Sequence, residues 1–544
     1  TVDEDTVLDL LEEALRSGVL TEEGTVHVRY HFWHPLLVSH LYDAISAIRR
    51  ARIHQRAAGI LERLYKGRVE EVAATITHHL VRAGAKPPEI AYYAELAGDW
   101  AYTFSAYTEA ERHYSLALEH YELVRSPAEC TSEQHLTLLE RLAECAVIRG
   151  NFIEARRLYE RILELCMARQ DASEYDVLRQ AMVWVEQGRI WRYNGDNARA
   201  RECCERGEQV LRAAGILDGP AWARLRHLQG SLYWQEGRYQ EGRRVVQEAL
   251  KFFAQRSRLP ASPALVRGRR RSTRIQRTME GDPVDLGGAY RLLGAFSDAE
   301  GHSSEALEHL NTALVIYEQA DQKRSIGHVS QDISYLCIKK AAFEEAEAAL
   351  RRALSLAEPL GDEPLLAVVY SNRGELAAAK GNLEDAESWY RKSLVLAERF
   401  NDREYISWWN TRLAAVLLEQ GRFEEARTHT LRALRTGRMI RNNPCISKAL
   451  VGLGNLRIAQ ARASQRLPKV RTRLLQRARQ DVLYALALPG LEVETKTKCH
   501  LILAHVALLL DEEEADNKII GVIEEASQYG LTLVGVKARR LLKE

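Results

Sequence analysis

The chain has 544 residues, more than one hydrophobic core usually organises, so several domains or a linear repeat array is expected. Its 76 Lys and Arg residues nearly balance 75 Asp and Glu residues, and the net charge of +1 argues against nucleic acid or an anionic membrane as the main partner. No segment approaches the roughly 18 uninterrupted apolar residues of a membrane helix, and the acidic N-terminus is unlike a signal peptide, so a cytoplasmic protein without membrane contact is expected.

Residues 1–66 form the first predicted module. The segment DTVLDLLEEALRSGVL predicts a helix that ends at Gly18, and TEEGTVHVRYHF alternates like a short hairpin around Gly24. The following segment, HPLLVSHLYDAISAIRRARIHQRAAGILERLY, returns to helical periodicity. Helix, wing and helix predict a winged-helix-like fold. The helix before the wing is acidic, whereas a DNA-reading helix is basic, so direct nucleic-acid binding is not expected.

Connecting helices are expected over 67–97, and a repeat array over 98–544. Small residues recur in pairs twelve positions apart, and a turn residue follows the first member of each pair by seven positions. Small side chains let two helices cross closely, and glycine accepts the left-handed conformation that ends a helix, so each unit is predicted to be helix, tight turn, helix. The pairs are Gly98 and Ala110, Ala143 and Ala155, Gly188 and Ala200, Gly230 and Gly242, Gly294 and Ala306, Ser334 and Ala346, Gly374 and Ala386, and Ala414 and Ala426; the turn residues are Ser105, Gly150, Gly195, Gly237, Gly301, Ala341, Gly381 and Gly421.

One such helix pair cannot bury its apolar face alone, so the pairs are predicted to stack into a superhelix with a concave wall. The segments 291–314 and 371–394 resemble the tetratricopeptide repeat. The last four repeats recur every 40 residues, compared with about 34 in the usual repeat, which predicts longer helices or longer connections. The expected fold class is therefore all-α: a tetratricopeptide-repeat superhelix preceded by a small winged-helix-like module.

Two basic segments interrupt the array. The insertion 256–283 combines many arginines with three prolines, and its composition predicts a solvated, poorly ordered loop between two repeats. The alternative is an electrostatic arm for nucleic acid, nucleotide or an acidic partner. The segment 460–483 is basic but amphipathic enough to be largely helical, and the helices from about 513 to 544 are expected to cap the solenoid.

The motifs of common enzyme classes are absent. Neither a phosphate loop G-x-x-x-x-G-K-[ST], nor G-x-S-x-G, nor G-x-G-x-x-G occurs, so no enzyme, catalytic residue or bound cofactor is expected in this chain. His78 and His79, or His31 and His34, lack the acidic or cysteine partners of a zinc site, and no metal site is expected. The eight cysteines are scattered, and reduced, packed thiols are expected; a redox role for Cys203 and Cys204 is the alternative.

The string YHFWHPLL (30–37), followed by LY (41–42) and RRARIH (49–54), carries a second resemblance. It is similar to the winged-helix end of the nucleotide-binding module in signal-transduction ATPases with numerous domains (STAND), the class that includes maltotriose-responsive transcription activators and immune receptors. In that class a histidine at the position of His34 senses the nucleotide phosphate and helps hold the resting, ADP-bound state. The alternative is that His34 caps the helix that begins at Pro35.

The same resemblance implies that the chain is a piece of a longer protein, which agrees with its first residue being Thr1. ADP or ATP is then expected in the full-length protein, bound by its own N-terminal ATPase domain, and repeats after such a module usually act as the sensor. An oligomer formed on activation is compatible with this reading.

The inner face of the superhelix is the predicted binding surface. The repeat register points a set of Arg, aromatic and amide residues inward, which suits a small polar ligand or an extended peptide; a solvated or packing role is the alternative for each of them. They are Arg189, Arg192, Tyr193, His227, Trp234, Arg291, Gln331, Tyr335, Lys339, Asn372 and Asn455.

The resemblance to the STAND class therefore implies the sensor arm of such a regulator, in which a small-molecule inducer or a protein or peptide ligand relieves autoinhibition and so controls an output such as transcription. The alternative function is a scaffold that binds peptides of partner proteins and has no link to a nucleotide.

Overall fold

The computed structural model describes residues 3–24, 28–123, 132–169, 173–256, 272–464 and 466–543. Within these ranges the chain forms 26 α-helices and a single two-stranded hairpin. The chain divides into two compact units. Unit 1 comprises residues 1–101 and 112–126, and unit 2 comprises residues 102–111 and 127–544.

Unit 1 begins with the predicted order of helix, hairpin and helix. A buried cluster that includes Ala58, Ile76, Leu80, Ile90 and Tyr93 holds its later helices together. The elements are α1 (Glu4–Arg16), β1 (Leu20–Glu23), β2 (Arg29–Phe32), α2 (Pro35–Ala44), α3 (Ala47–Leu64), α4 (Ala73–Ala83), most of α5 (Pro87–Thr103) and the C-terminal part of α6 (Tyr107–Glu122). The two strands pair antiparallel, with Leu20 opposite Phe32.

Unit 2 is a series of antiparallel helix pairs. Its helices after α6 are α7 (Glu133–Ile148), α8 (Phe152–Ala168), α9 (Glu174–Tyr193), α10 (Asn197–Ala213), α11 (Pro220–Glu236), α12 (Tyr239–Arg256), α13 (Arg274–Glu280), α14 (Pro283–Ala299), α15 (Ser303–Gln319), α16 (Lys323–Lys339), α17 (Phe343–Leu360), α18 (Glu363–Ala379), α19 (Leu383–Phe400), α20 (Arg403–Glu419), α21 (Phe423–Met439), α22 (Asn443–Ala463), α23 (Pro468–Leu486), α24 (Val493–Leu509), α25 (Ala515–Gln528) and α26 (Thr532–Leu541). None of the helices in the described part of the chain has the length and apolar character needed to cross a lipid bilayer.

The predicted turns and close helix crossings are confirmed. All eight predicted turn residues have a left-handed backbone, with φ between 60° and 87°. A Cβ added at Gly230 would lie 2.3 Å from the Val246 side chain, and one added at Gly294 would lie 3.1 Å from Leu310, so only small residues fit these crossings. The 40-residue period comes from longer helices, because α16 to α21 have 17 or 18 residues each and are joined by short connections.

The superhelix of unit 2 stacks on itself. The Tyr239 hydroxyl donates a hydrogen bond to the carbonyl oxygen of Gly490, 251 positions later, at 3.0 Å. The turn at Gly195 likewise packs against Ile440. Helix pairs of the first superhelical turn therefore contact helix pairs of the next turn, and the inner helices of both turns surround a common interior.

The prediction of a solvated loop over the whole of 256–283 is wrong for residues 272–283. Residues 257–271 lie outside the described residues. Thr273 begins α13 with a capping box shared with Gln276, and both Thr273 and Ile275 are buried. Arg274 and Arg277 are not solvated either: both pair with Asp282, and Arg277 also lies 3.7 Å from Glu144. Sequence composition did not reveal the pairing with Glu144, because Glu144 lies on a distant helix.

The C-terminal helices close the described array. Ile519 and Val522 on α25 pack with Val534 on α26 and Ala504 on α24 in one buried cluster. The basic segment predicted to be helical forms α23 and the end of α22.

Candidate ligand cavity

The inner helices of unit 2 surround a cavity of about 1370 Å³. Side chains from both superhelical turns line it, and Arg and Lys outnumber Asp and Glu among them. All eleven residues predicted for the inner face lie in this wall. They are Arg189, Arg192, Tyr193, His227, Trp234, Arg291, Gln331, Tyr335, Lys339, Asn372 and Asn455. The structure brings them together in one cavity, and their contact with a ligand stays a prediction.

Most charged residues of the wall form ion pairs with each other. Lys339 lies 2.6 Å from Asp298 and 3.1 Å from Glu494, so it joins helices of two superhelical turns. Arg291 pairs with Asp332, and Arg189 pairs with Glu186. The charges of these side chains are therefore balanced by partners in the wall itself.

Gln331 and Asn372 have the packing role that was the alternative for them. Both side chains are buried, and the Asn372 amide nitrogen donates to the backbone carbonyl of Gln331 at 2.9 Å and to its side-chain oxygen at 3.0 Å. These bonds link α16 to α18 and use up much of the hydrogen-bonding capacity of the pair.

Two of the predicted residues have polar atoms without a protein partner. The Nε atom of Arg192 and the Nε1 atom of Trp234 are buried and make no hydrogen bond to any described residue. Burial, reinforced by the positive charge of Arg224, lowers the pKa of His227 to about 3, so this imidazole is neutral at physiological pH. Unpaired buried donors cost about 1–3 kcal/mol each, and a ligand that offers acceptors would relieve that cost.

A group of residues on α20 completes the wall and was not predicted. Trp408 lies 5.9 Å from Trp234 between ring centroids, and Gln235 donates a hydrogen bond to Glu404. The Nε1 atom of Trp408 and the Oε1 atom of Glu404 are buried without a protein partner. The Lys448 ammonium, from α22, lies 4.3 Å from the Trp408 ring centroid. These side chains reach the cavity because the second superhelical turn stacks on the first.

Two buried carboxyl groups begin α20. Burial raises the pKa of Asp402 to about 7, although its side chain caps the helix by accepting a hydrogen bond from the Tyr405 backbone N–H at 3.1 Å. Burial also raises the pKa of Glu404, while Arg192 and the hydrogen bond from Gln235 oppose the rise. The local charge of the cavity therefore changes around neutral pH.

One missed residue had a usable signal in the sequence. Arg412 lies 40 positions after Asn372 and occupies the same place in the next repeat, so the repeat register pointed it inward as well. Its guanidinium lies 5.3 Å from the Tyr335 ring centroid and 3.2 Å from Glu375.

His34 lies in unit 1 and caps α2. Its Nδ1 atom accepts a hydrogen bond from the Leu36 backbone N–H at 3.1 Å, and the residue is exposed. The capping role is thus observed, and the nucleotide-sensing role stays a prediction.

The other histidine and cysteine candidates occupy structural positions. His79 and His54 lie 2.8 Å apart between their Nδ1 atoms, and the described ranges contain no group of three or more His, Cys, Asp or Glu side chains arranged for a metal ion. Cys203 and Cys204 are buried free thiols, and burial raises their pKa to about 11 and 12. Thiols this weakly acidic are poor nucleophiles.

Comparison with known proteins identifies the repeat. The tetratricopeptide repeat family matches residues 333–399 and 365–438. No curated protein has a matching sequence.

Solved structures with similar folds share little sequence with this chain. A Rap protein complexed with competence and sporulation factor is 12% identical, with 76% of this chain and 97% of that chain covered and a TM-score of 0.45. The quorum sensor NprR from B. thuringiensis is 16% identical, with 72% and 99% covered and a TM-score of 0.42. A STAND protein with a tetratricopeptide repeat sensor from Pyrococcus horikoshii is 14% identical, with 78% and 58% covered and a TM-score of 0.36.

The family match within 333–438 coincides with helix pairs α16 to α21, and the same pairing of helices, turns and small residues extends through the earlier repeats. The fold is an all-α tetratricopeptide-repeat superhelix.

Proposed function

We propose that unit 2 is a sensor domain that binds a small polar ligand or a short peptide inside its central cavity. The observation that carries this proposal is a set of buried, unpaired polar atoms on Arg192, Trp234, Glu404 and Trp408, all of which line the same cavity. Buried polar groups in proteins are almost always hydrogen-bonded, so such a cluster in a cavity is typical of a binding site.

The stacking of the superhelix favours a ligand enclosed between the turns over a long extended peptide. Trp234 belongs to the first turn and Trp408 to the second, and their rings meet across the interior. A ligand that packs against this pair of rings would contact both turns at once, and its binding would favour one spacing of the turns over another. A sensor needs this dependence of the spacing of the turns on ligand binding, whereas a passive peptide scaffold does not need it.

The proposal is tested by screening polar metabolites and short peptides for binding, with Trp fluorescence and thermal unfolding as readouts. We expect a true cavity ligand to lose binding to the Trp234→Phe and Trp408→Phe variants. The matched control is Trp389→Phe, because Trp389 packs against Arg373 and Lys392 outside the cavity. In hydrogen exchange, the ligand should protect the inner helices between about residues 189 and 340. Binders whose affinity is insensitive to both cavity substitutions would contradict the proposal.

We further propose that this sensor regulates a STAND ATPase domain through residues 1–66, which have the predicted order of helix, hairpin and helix. In a full-length protein that contains the ATPase domain, His34→Ala is expected to raise basal activity and to weaken ADP retention, because the proposed contact with the nucleotide phosphate is lost. A His34→Asn variant keeps a side chain able to cap α2 and separates capping from sensing. If basal activity and ADP retention are both unchanged in His34→Ala, the sensing role is refuted.

A further inference from the structure

The strongest unassigned feature of the cavity is the concentration of positive charge at the end of α9. Burial would raise the pKa of Tyr193, but Arg189, Arg192 and Arg324 together outweigh it and lower the pKa to about 8. Three guanidinium groups thus favour a negative charge at the Tyr193 hydroxyl, which lies in the cavity wall. The Tyr193 ring also stacks on Phe152, with ring centroids 5.7 Å apart, so its position is fixed.

The three arginines are not equivalent. Arg189 is paired with Glu186, and Arg324 is paired with Asp362 at 2.5 Å. Arg192 has no ion pair or hydrogen bond to any residue that the structure describes, and its guanidinium lies 4.7 Å from the Tyr193 ring centroid. Arg192 therefore has hydrogen-bond donors to offer to a bound group.

The wall of the same cavity holds other donors. Trp234 and Trp408 each have a buried indole N–H without a protein partner. The carboxyl groups of Asp402 and Glu404 lie within electrostatic range of Arg192, and burial raises the pKa of both. The pKa of Asp402 reaches about 7, so this carboxyl group is only a partial counter-ion at neutral pH. We call Arg192, Tyr193, Trp234 and Trp408 the Arg192 subsite.

We infer that the ligand of the cavity carries an anionic oxygen group, a carboxylate or a phosphate, which binds the Arg192 guanidinium within the Arg192 subsite. The inference rests on the proposed ligand-binding function and specifies its chemistry. Guanidinium groups bind both carboxylate and phosphate oxygens through paired N–H donors, and the two indole N–H groups are neutral donors in the wall of the same cavity.

The anion should bind more tightly below pH 7 than above it. The groups around the subsite that change or carry charge are Arg189, Arg192 and Tyr193 on α9, Arg324 on α16, Asp402 and Glu404 on α20, and Lys448 on α22. Tyr193 becomes negative as the pH rises through about 8, which weakens anion binding in the same direction as Asp402. Lys448 is already paired with Glu492 at 2.8 Å. As the pH falls through about 7, Asp402 takes up a proton, its repulsion of a bound anion disappears, and the charge of Arg192 is less compensated.

The test uses acetate and inorganic phosphate as probes, with chloride at equal ionic strength as the reference. We expect either probe to raise the melting temperature of the wild-type chain and to shift the phenolate absorbance of Tyr193 to higher pH, because a bound anion offsets the arginine charges. Arg192→Gln should weaken probe binding at least ten-fold. Arg199→Gln is the matched control, since Arg199 lies on α10, is exposed and does not line the cavity. The probe with the larger effect identifies the carboxylate or the phosphate.

Acetate keeps its charge between pH 6 and 8, so a change in its binding over this range reports groups of the protein. Its binding should be tighter at pH 6 than at pH 8 in the wild type. The difference should be smaller in Asp402→Asn, where the ionisation of Tyr193, with a pKa of about 8, still opposes the anion at the upper end of the range. The inference is overturned if neither probe acts beyond the chloride reference, or if Arg192→Gln responds like the wild type. A cavity ligand that has no anionic group and binds Arg192→Gln as tightly as it binds the wild type would also overturn the inference. That result would leave the proposed sensor function intact. The sensor function itself fails only if no ligand depends on Trp234 or Trp408.

Discussion

Replacing Gly237 by alanine is expected to destabilise the chain by about 3 kcal/mol or more, the combined effect of backbone strain and overpacking. Gly237 has a φ of 76°, which costs an alanine about 1 kcal/mol. In addition, the new Cβ would lie 2.3 Å from the Cα atom of Gly490, a backbone atom that cannot move away as a side chain can. The contact between the two superhelical turns would therefore have to open.

The matched control for this prediction is Gly421→Ala. Gly421 occupies the same turn position, has a φ of 78°, and has no atom within 4 Å of an added Cβ. Gly421→Ala should therefore lose only the stability that corresponds to the strain of the left-handed backbone. Thermal and urea unfolding measure the difference, and hydrogen exchange around Gly490 should rise in Gly237→Ala alone. Equal losses in the two variants would show that the stacked turns contribute nothing to stability.

Replacing Arg179 by methionine is expected to cost about 3–5 kcal/mol, the range for breaking a buried ion pair from one side. Arg179 is fully buried, and its Nε atom donates to Glu140 at 2.6 Å; it also pairs with Glu133. Burial raises the pKa of Glu140, and Arg179 opposes that rise. Without Arg179, the Glu140 carboxylate would be buried among groups that do not compensate its charge.

The pH dependence of this loss provides an internal check. A buried carboxyl group with a raised pKa in the folded state destabilises the fold as the pH rises through that pKa. The loss of stability caused by Arg179→Met should therefore be larger at pH 8 than at pH 5. The double variant Arg179→Met with Glu140→Gln should recover much of the lost stability. Arg212→Met is the control, because Arg212 is exposed where it pairs with Glu208, and a pair with an exposed partner contributes little. A loss in Arg179→Met no larger than in Arg212→Met would contradict the prediction.

The sequence predicted the repeating parts of the molecule well. The spacing of Gly188 and Ala200, with Gly195 between them, predicts one helix pair from local chemistry alone, and each of the other pairs follows the same rule. The register of those pairs also placed residues such as Arg192 and Trp234 on the cavity wall. Both predictions depend on a single repeat, in which the side chains that meet are close in sequence.

The sequence did not predict what the curvature of the superhelix brings together. Glu404 and Trp408 meet Gln235 and Trp234 because one full superhelical turn separates them, and the pitch of that turn is the sum of many small rotations between helix pairs. The segment around Arg274 was predicted to be a loop for a related reason. The backbone N–H of Arg274 donates a hydrogen bond to Glu144, which lies 130 positions earlier on α7, and composition does not reveal such a partner.

The hydrogen bond between Tyr239 and Gly490 has a consequence for how the chain folds and unfolds. In an open solenoid, stability spreads only from neighbour to neighbour, so either end can fray without effect on the middle. A spiral whose successive coils touch is different, because the loss of its last coil also removes support from the first. Closing a contact across 251 residues carries a large entropic cost, so we expect the coils to dock late in folding and the docked array to unfold as one cooperative body.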